Sequence, residues 1–192
     1  MSITCAITAG GKATRMHGKT KAFTLINNER IIDSNLKLLR KYFDEIIIIS
    51  NKPNEFSEYP NLLIYSDHYL NIGPLAGLHS SIVNTQSDFV FIISSDLPFI
   101  SEQILIELIN NSQNSFDATI PRIGRNIEPL FGIYNRNILK KLEHHIENEE
   151  SKSMKSFLRI LNVKYIELED TEANRRAFTN INSKKDKASA SL

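Results

Sequence analysis

Residues 9–21, Ala9-Gly10-Gly11-Lys12-Ala13-Thr14-Arg15-Met16-His17-Gly18-Lys19-Thr20-Lys21, combine three glycines with four basic side chains. Glycine lets backbone N–H groups come close to an anion and aim at it, while Lys and Arg neutralise charge, so the segment suits a polyphosphate. A solvated strand-to-helix loop is the competing reading of this segment by itself. Two familiar phosphate motifs are excluded by spacing. Gly18-Lys19-Thr20 imitates the end of a Walker A loop, but Ala13 stands where that motif needs its first glycine. The dinucleotide pattern G-x-G-x-x-G fails too, because Gly10 and Gly11 are adjacent and Ala13 and Thr14 follow.

A second candidate closes a long hydrophobic run at Ser94-Ser95-Asp96-Leu97-Pro98. A carboxylate beside a phosphate site is the usual way to hold Mg²⁺, which takes one or two carboxylates plus phosphate oxygens and water. Asp96 is therefore the metal candidate, against the plainer role of a turn-forming residue before Pro98. Asn51 and Asp67 also follow apolar runs, where their side chains could read a nucleobase or ribose hydroxyls, or simply make turns. Gly73-Pro74-Leu75-Ala76-Gly77 opens a helix and again permits close backbone approach. Glu128, in Glu128-Pro129-Leu130, faces an acceptor substrate or water.

The remaining reactive residues make no site. His144 and His145 are neighbours on a helix and diverge by about 100°, which rules out a shared metal there. His17, His68 and His79 are scattered, and no nucleophile has a base and an orienting group at useful spacing. Cys5 is the only cysteine, so no internal disulfide can form, and its apolar surroundings suit a small buried thiol.

Elements of a particular kind must bring these residues together. Apolar runs at Ile3–Thr8, 45–50, 62–65, 89–94, 118–121, 129–134 and 164–168 read as strands, and helical spacing between them predicts an α/β sheet with mostly parallel strands. The runs 45–50 and 88–93 are continuous rather than alternating, so both their faces should be covered and they belong in the middle. Ile32, Leu36, Leu39 and Phe43 share one helix face, as do Leu139, Leu142 and Ile146. Ser101 is placed to cap a helix carrying Ile104, Leu105, Leu108 and Ile109, and a short helix is expected over 154–161. In such a sheet, ligands bind at the carboxyl ends of strands, which is where the glycine segment, Asn51, Asp67 and Asp96 all fall.

Composition agrees with one folded domain. The chain has 192 residues, 41% hydrophobic and 23% charged, inside the usual globular range. With 23 Lys plus Arg against 22 Asp plus Glu, the net charge of +1 gives no polycation with which to hold nucleic acid. No apolar stretch approaches a membrane span and no exported leader opens the chain, so a cytoplasmic protein without membrane contact is expected. Residues 1–183 are expected to form the domain and 184–192 a loosely held, charged tail.

Over nearly its full length the chain resembles the MobA-type nucleotidyltransferases, the molybdenum cofactor guanylyltransferases. The resemblance is carried by Ala9-Gly10-Gly11-Lys12 with Arg15-Met16 and Lys21, by Asp67 and the 73–77 segment, by Asp96-Leu97-Pro98, by Glu128-Pro129-Leu130, and by Asn180-Ile181-Asn182. It implies a single Rossmann-like three-layer domain of the nucleotide-diphospho-sugar transferase kind, Mg²⁺ as cofactor, and transfer of GMP from GTP to molybdopterin. It also implies nucleotide contacts at Thr8, Ala9, Gly10, Gly11, Lys21, Asn51 and Asp67, magnesium at Asp96, and catalytic charge from Lys21 and Arg15. Glu128, Asn180 and Asn182 would then lie on the acceptor side, and transient contacts with other cofactor-biosynthesis proteins or apo-molybdoenzymes would follow. This chain departs from the pattern at His17, where a small glycine is usual, and at Thr20, where an Asp usually precedes the lysine. Two rival readings remain open: another magnesium-dependent nucleotidyltransferase using CTP or a sugar or polyol phosphate, and a non-catalytic nucleotide-binding domain.

Overall fold

The continuous apolar runs both form interior strands covered on both faces, with 89–94 at the centre of the sheet and 46–49 one strand in from its edge rather than in the middle. The computed structural model describes residues 1–10 and 20–181. Gly11, Arg15, His17, Asn182 and the 184–192 tail, all named above, lie outside the described residues. In chain order the elements are β1 (Ile3–Thr8), β2 (Leu25–Ile26), β3 (Glu29–Arg30), α1 (Ile31–Leu39), β4 (Ile46–Ile49), β5 (Leu63–Tyr65), α2 (Pro74–Val83) and β6 (Phe89–Ser94). There follow α3 (Glu102–Asn111), β7 (Ala118–Ile123), β8 (Asn126–Ile127), β9 (Phe131–Asn135), α4 (Leu139–Asn148), α5 (Met154–Leu158), β10 (Val163–Leu168) and α6 (Glu172–Ala177).

The main sheet runs β10-β7-β9-β6-β1-β4-β5, with β8 attached to β7, while β2 and β3 form a separate hairpin. β1 pairs in parallel with both β4 and β6, and β4–β5 and β7–β10 are parallel as well. The strand β9 is antiparallel to both its neighbours, β6 and β7. From β1 the chain crosses through α1 to β4 on one side, then returns through α2 to β6 on the other. That reversal opens a crevice at the carboxyl ends of β1 and its neighbours, the position open α/β sheets use for ligands.

Strand alternation sorts the core into two layers. Cys5, Ile7, Ile46, Ile48, Phe91 and Ile93 face α1 and α3, meeting Ile32, Leu36, Leu39, Leu105 and Leu108. Ala6, Ile47, Ile49, Val90 and Ile92 face the opposite way, against Leu75, Leu78 and Ile82 of α2 and Leu142 and Ile146 of α4. The result is a three-layer α/β fold with a mostly parallel central sheet. Each fully buried Ile, Leu or Phe contributes about 1.5–3 kcal/mol, and this burial holds the helices on the sheet. Among the described residues, no helix is long and apolar enough to cross a membrane.

Several boundaries differ from the sequence expectation. α1 ends at Leu39, and Phe43 reaches the same core from a turn whose N–H donates to the Leu39 carbonyl. The strand expected over 118–121 continues to Ile123 and folds back through Gly124, at φ +57°, into β8. α5 ends at Leu158, with single turns carrying the chain on to Leu161.

Candidate active site

A cleft of about 530 Å³ lies at the carboxyl ends of β1, β4, β5 and β6. Thr8, Ala9, Gly10, Lys21, Asn51, Asp67 and Asp96, distant in sequence, all line it. The ladder delivers them: Ala9 N–H donates to the Ile49 carbonyl at 2.8 Å, and Ser95 N–H to the Thr8 carbonyl at 3.0 Å. The Thr8 hydroxyl donates to the Ile93 carbonyl at 3.1 Å, which fixes its side chain at the rim.

One end of the cleft is a charge pair. Lys21 Nζ donates to Asp96 Oδ2 at 2.9 Å, joining the turn that follows the glycine segment to the turn after β6. Ser94 Oγ donates to the other carboxylate oxygen, Asp96 Oδ1, at 2.6 Å. Asp96 is 14% exposed in its side chain, so its oxygens open onto the cleft without being awash in solvent. No cluster of three or more metal-binding side chains occurs among the described residues. A lone strand-end carboxylate is nevertheless a donor set that fits Mg²⁺ arriving with phosphate, since phosphate oxygens and water complete its shell.

The other end is a polar clasp. Asn51 Nδ2 donates to Asp67 Oδ2 at 2.8 Å, and Asp67 N–H donates back to Asn51 Oδ1 at 2.9 Å. The clasp ties the end of β4 to the end of β5. Burial raises the Asp67 carboxyl above its ordinary value, with the Asn51 amide pulling the other way. A Cβ on Gly10 would sit 3.6 Å from Asp67 Oδ2, so the bare glycine leaves that carboxylate uncovered.

α2 supplies the wall between them. Gly73, at φ +74°, turns the chain sharply before Pro74 starts the helix. Three residues on, a Cβ at Gly77 would meet Thr8 Cγ2 at 3.0 Å, so the helix lies against the end of β1.

The acceptor-side candidates are arranged differently. Glu128 lines a second hollow with Asn126, Asp170, Arg175 and Phe178, and burial raises its carboxyl while Lys155 opposes the shift. Asn180 is exposed and does not line the cleft. Its neighbour Ile181 is buried against Ile26 and Ile31, and its N–H donates to the Asp96 carbonyl at 3.1 Å.

Sequence reasoning missed Lys52, Asn71 and Ser95, which also line the cleft. All three lie in the segments after strands, and Asn71, two residues before the Gly73-Pro74 helix start, has φ +63°, a conformation that Asn adopts more readily than most residues. It also missed a proximity: His68 and His79 lie 5.6 Å apart, with Tyr69 4.8 Å from His79. Neither histidine lines the cleft, and burial lowers the His79 imidazole below its ordinary value despite Glu143 at 3.3 Å.

Residues 5–168 match the family model described as a MobA-like NTP transferase domain, which places the chain among the nucleotidyltransferases. The chain belongs to the MobA-like NTP transferase family. It is 33% identical over 151 residues to a probable molybdenum cofactor guanylyltransferase of Clostridium perfringens, covering 79% of this chain and 75% of that one. A protein of the same description from Peptoclostridium acidaminophilum is 34% identical over 166 residues, covering 83% and 74%. Among solved structures, molybdopterin-guanine dinucleotide biosynthesis protein A of Archaeoglobus fulgidus superposes with a TM-score of 0.80 at 22% identity, covering 98% of this chain and 96% of that one.

Proposed function

We propose that this protein transfers GMP from GTP to the terminal phosphate of molybdopterin or the molybdenum cofactor, releasing pyrophosphate. One observation carries the reading. A single cleft holds a cation–carboxylate pair, Lys21 with Asp96, at one end and a polar clasp, Asn51 with Asp67, at the other. The first suits a triphosphate and the second a nucleoside. The relatives described as molybdenum cofactor guanylyltransferases support guanine as the base and molybdopterin as the acceptor.

In this reaction an acceptor phosphate oxygen attacks the α-phosphorus of GTP, and the bond from that phosphorus to the β-phosphate oxygen breaks. The acceptor phosphate is already ionised, so no general base is needed, and positioning with charge neutralisation dominates. Lys21, with Arg15 from the glycine segment, stabilises charge as it moves toward pyrophosphate. The backbone at Thr8, Ala9, Gly10 and Gly11 cradles the phosphates. Asp96 would hold Mg²⁺, which would supply charge neutralisation to the triphosphate. The Asn51 amide donates to and accepts from guanosine while the Asp67 carboxylate accepts from it, and Glu128, Asn180 and Asn182 serve the acceptor.

Thermal-shift measurements with GTP, CTP and ATP, each with and without Mg²⁺, test the donor half. Stabilisation by GTP with Mg²⁺ beyond the other two is expected, and pyrophosphate release on adding molybdopterin tests the acceptor half. A larger shift with CTP would move the assignment to a cytidylyltransferase. Binding without pyrophosphate release would leave a non-catalytic nucleotide-binding domain.

A further inference from the structure

Glu55 sits outside the cleft, in the single helical turn Pro53–Phe56 that follows β4. Its Oε2 accepts from the N–H of Thr20 at 3.0 Å, and its Oε1 lies 3.4 Å from Lys52 Nζ. Thr20 directly precedes Lys21, at the point where the chain leaves the glycine segment. On the far side of Lys21 the chain is anchored by packing: Ala22 is buried, and the Phe23 ring lies 5.2 Å from Phe56 and 6.3 Å from Tyr59. The turn 53–59 thus grips the Lys21 turn on both sides, by rings after it and by a carboxylate before it. A carboxylate accepting a backbone N–H makes a short, charge-assisted bond with a defined direction.

We infer that Glu55 is a positioning residue for Lys21: its bond to the Thr20 amide sets the course of the backbone out of the glycine segment, and so the place where Lys21 meets the phosphates. The inference rests on the triphosphate reading above. Its sign separates it from a simple charge effect. Removing a carboxylate near a polyanion should tighten anion binding by Coulomb's law. Removing a positioning bond should weaken it, since displacing a charged partner by about 1 Å can cost far more than weak repulsion.

The test measures binding of inorganic tripolyphosphate with Mg²⁺, a probe that needs neither base nor acceptor, by isothermal titration calorimetry. Glu55→Ala is expected to weaken binding roughly fivefold, while Glu55→Gln, which keeps the acceptor oxygen and drops the charge, binds as tightly as the unaltered protein. In a Lys21→Ala background, Glu55→Ala should change affinity by less than about twofold, because the two act as one unit. Should Glu55→Ala fail to fold, Thr20→Pro removes the donor instead; Thr20 already has φ −64°, the proline value, and the same weakening is expected. Unchanged or tighter binding by Glu55→Ala, or an equal loss in both backgrounds, overturns the positioning role and leaves the triphosphate reading standing. No binding by the unaltered protein overturns both.

Discussion

The Thr8 methyl lies 3.0 Å from where a Cβ on Gly77 would be. α2 therefore seats against the end of β1 only because one side chain is missing. Helix propensity alone would make Gly77→Ala stabilising by up to about 1 kcal/mol. Overpacking against Thr8 should reverse that, giving a net loss of about 1 kcal/mol or more. Thr8→Ser deletes the offending methyl and keeps the hydroxyl that donates to the Ile93 carbonyl. In that background Gly77→Ala should become stabilising. Urea denaturation of the four proteins reads the sign change directly, and equal effects of Gly77→Ala in both backgrounds would refute the contact.

Lys21 and Asp96 form the charge pair of the cleft, so their removal should have different signatures. If one preorganised charge partner is worth about 2.7–4 kcal/mol in the transition state, Lys21→Ala slows GMP transfer by roughly 10²- to 10³-fold with the fold intact. Asp96→Asn should abolish the Mg²⁺ dependence of GTP binding. A Mg²⁺ titration against both variants separates these roles, and a folded Lys21→Ala protein turning over at the normal rate would remove Lys21 from the mechanism.

Asp67 should make the protein less stable as pH rises. Burial lifts its folded-state carboxyl above the ordinary value of 3.8, so its ionised form is disfavoured in the fold. The favourable contribution is complete below the ordinary value and is lost as pH climbs through the raised one. Asp67→Asn should thus raise Tm at pH 7 relative to the unaltered protein, with the two curves converging toward acid pH, while GTP affinity falls. A lower Tm for the variant at pH 7 would contradict the burial effect.

Cys5 is completely buried in the central strand, and burial pushes its thiol above its ordinary value. A thiol reagent should modify it on the order of 10³-fold or more slowly in the folded protein than in denaturant. Rapid native labelling would mean that β1 opens on its own.

The sheet interior was legible because Ile46–Ile49 and Phe89–Ser94 are apolar on both faces, a pattern only doubly covered strands need. The carboxyl-end residues followed from it: once those strands were placed, Asn51, Asp67 and Asp96 had to share an edge. What stayed hidden lacked a one-dimensional signal. α6 buries little beyond Ala177, so it shows no apolar stripe, and β8 is two residues around a glycine turn. The antiparallel direction of β9 leaves no mark on its composition. The meeting of His68 with His79, and the bond from Glu55 to the Thr20 amide, depend on how loops return to the sheet, which no local pattern encodes.

The bond from Ile181 N–H to the Asp96 carbonyl gives synthesis a direction. A ribosome makes the turn bearing Asp96 85 residues before Ile181, so a half-made polypeptide holds that turn only through Lys21, Ser94 and the ladder to Thr8. The backbone of the acidic turn is thus fastened last, and a product ending short of Ile181 should hold that turn more loosely.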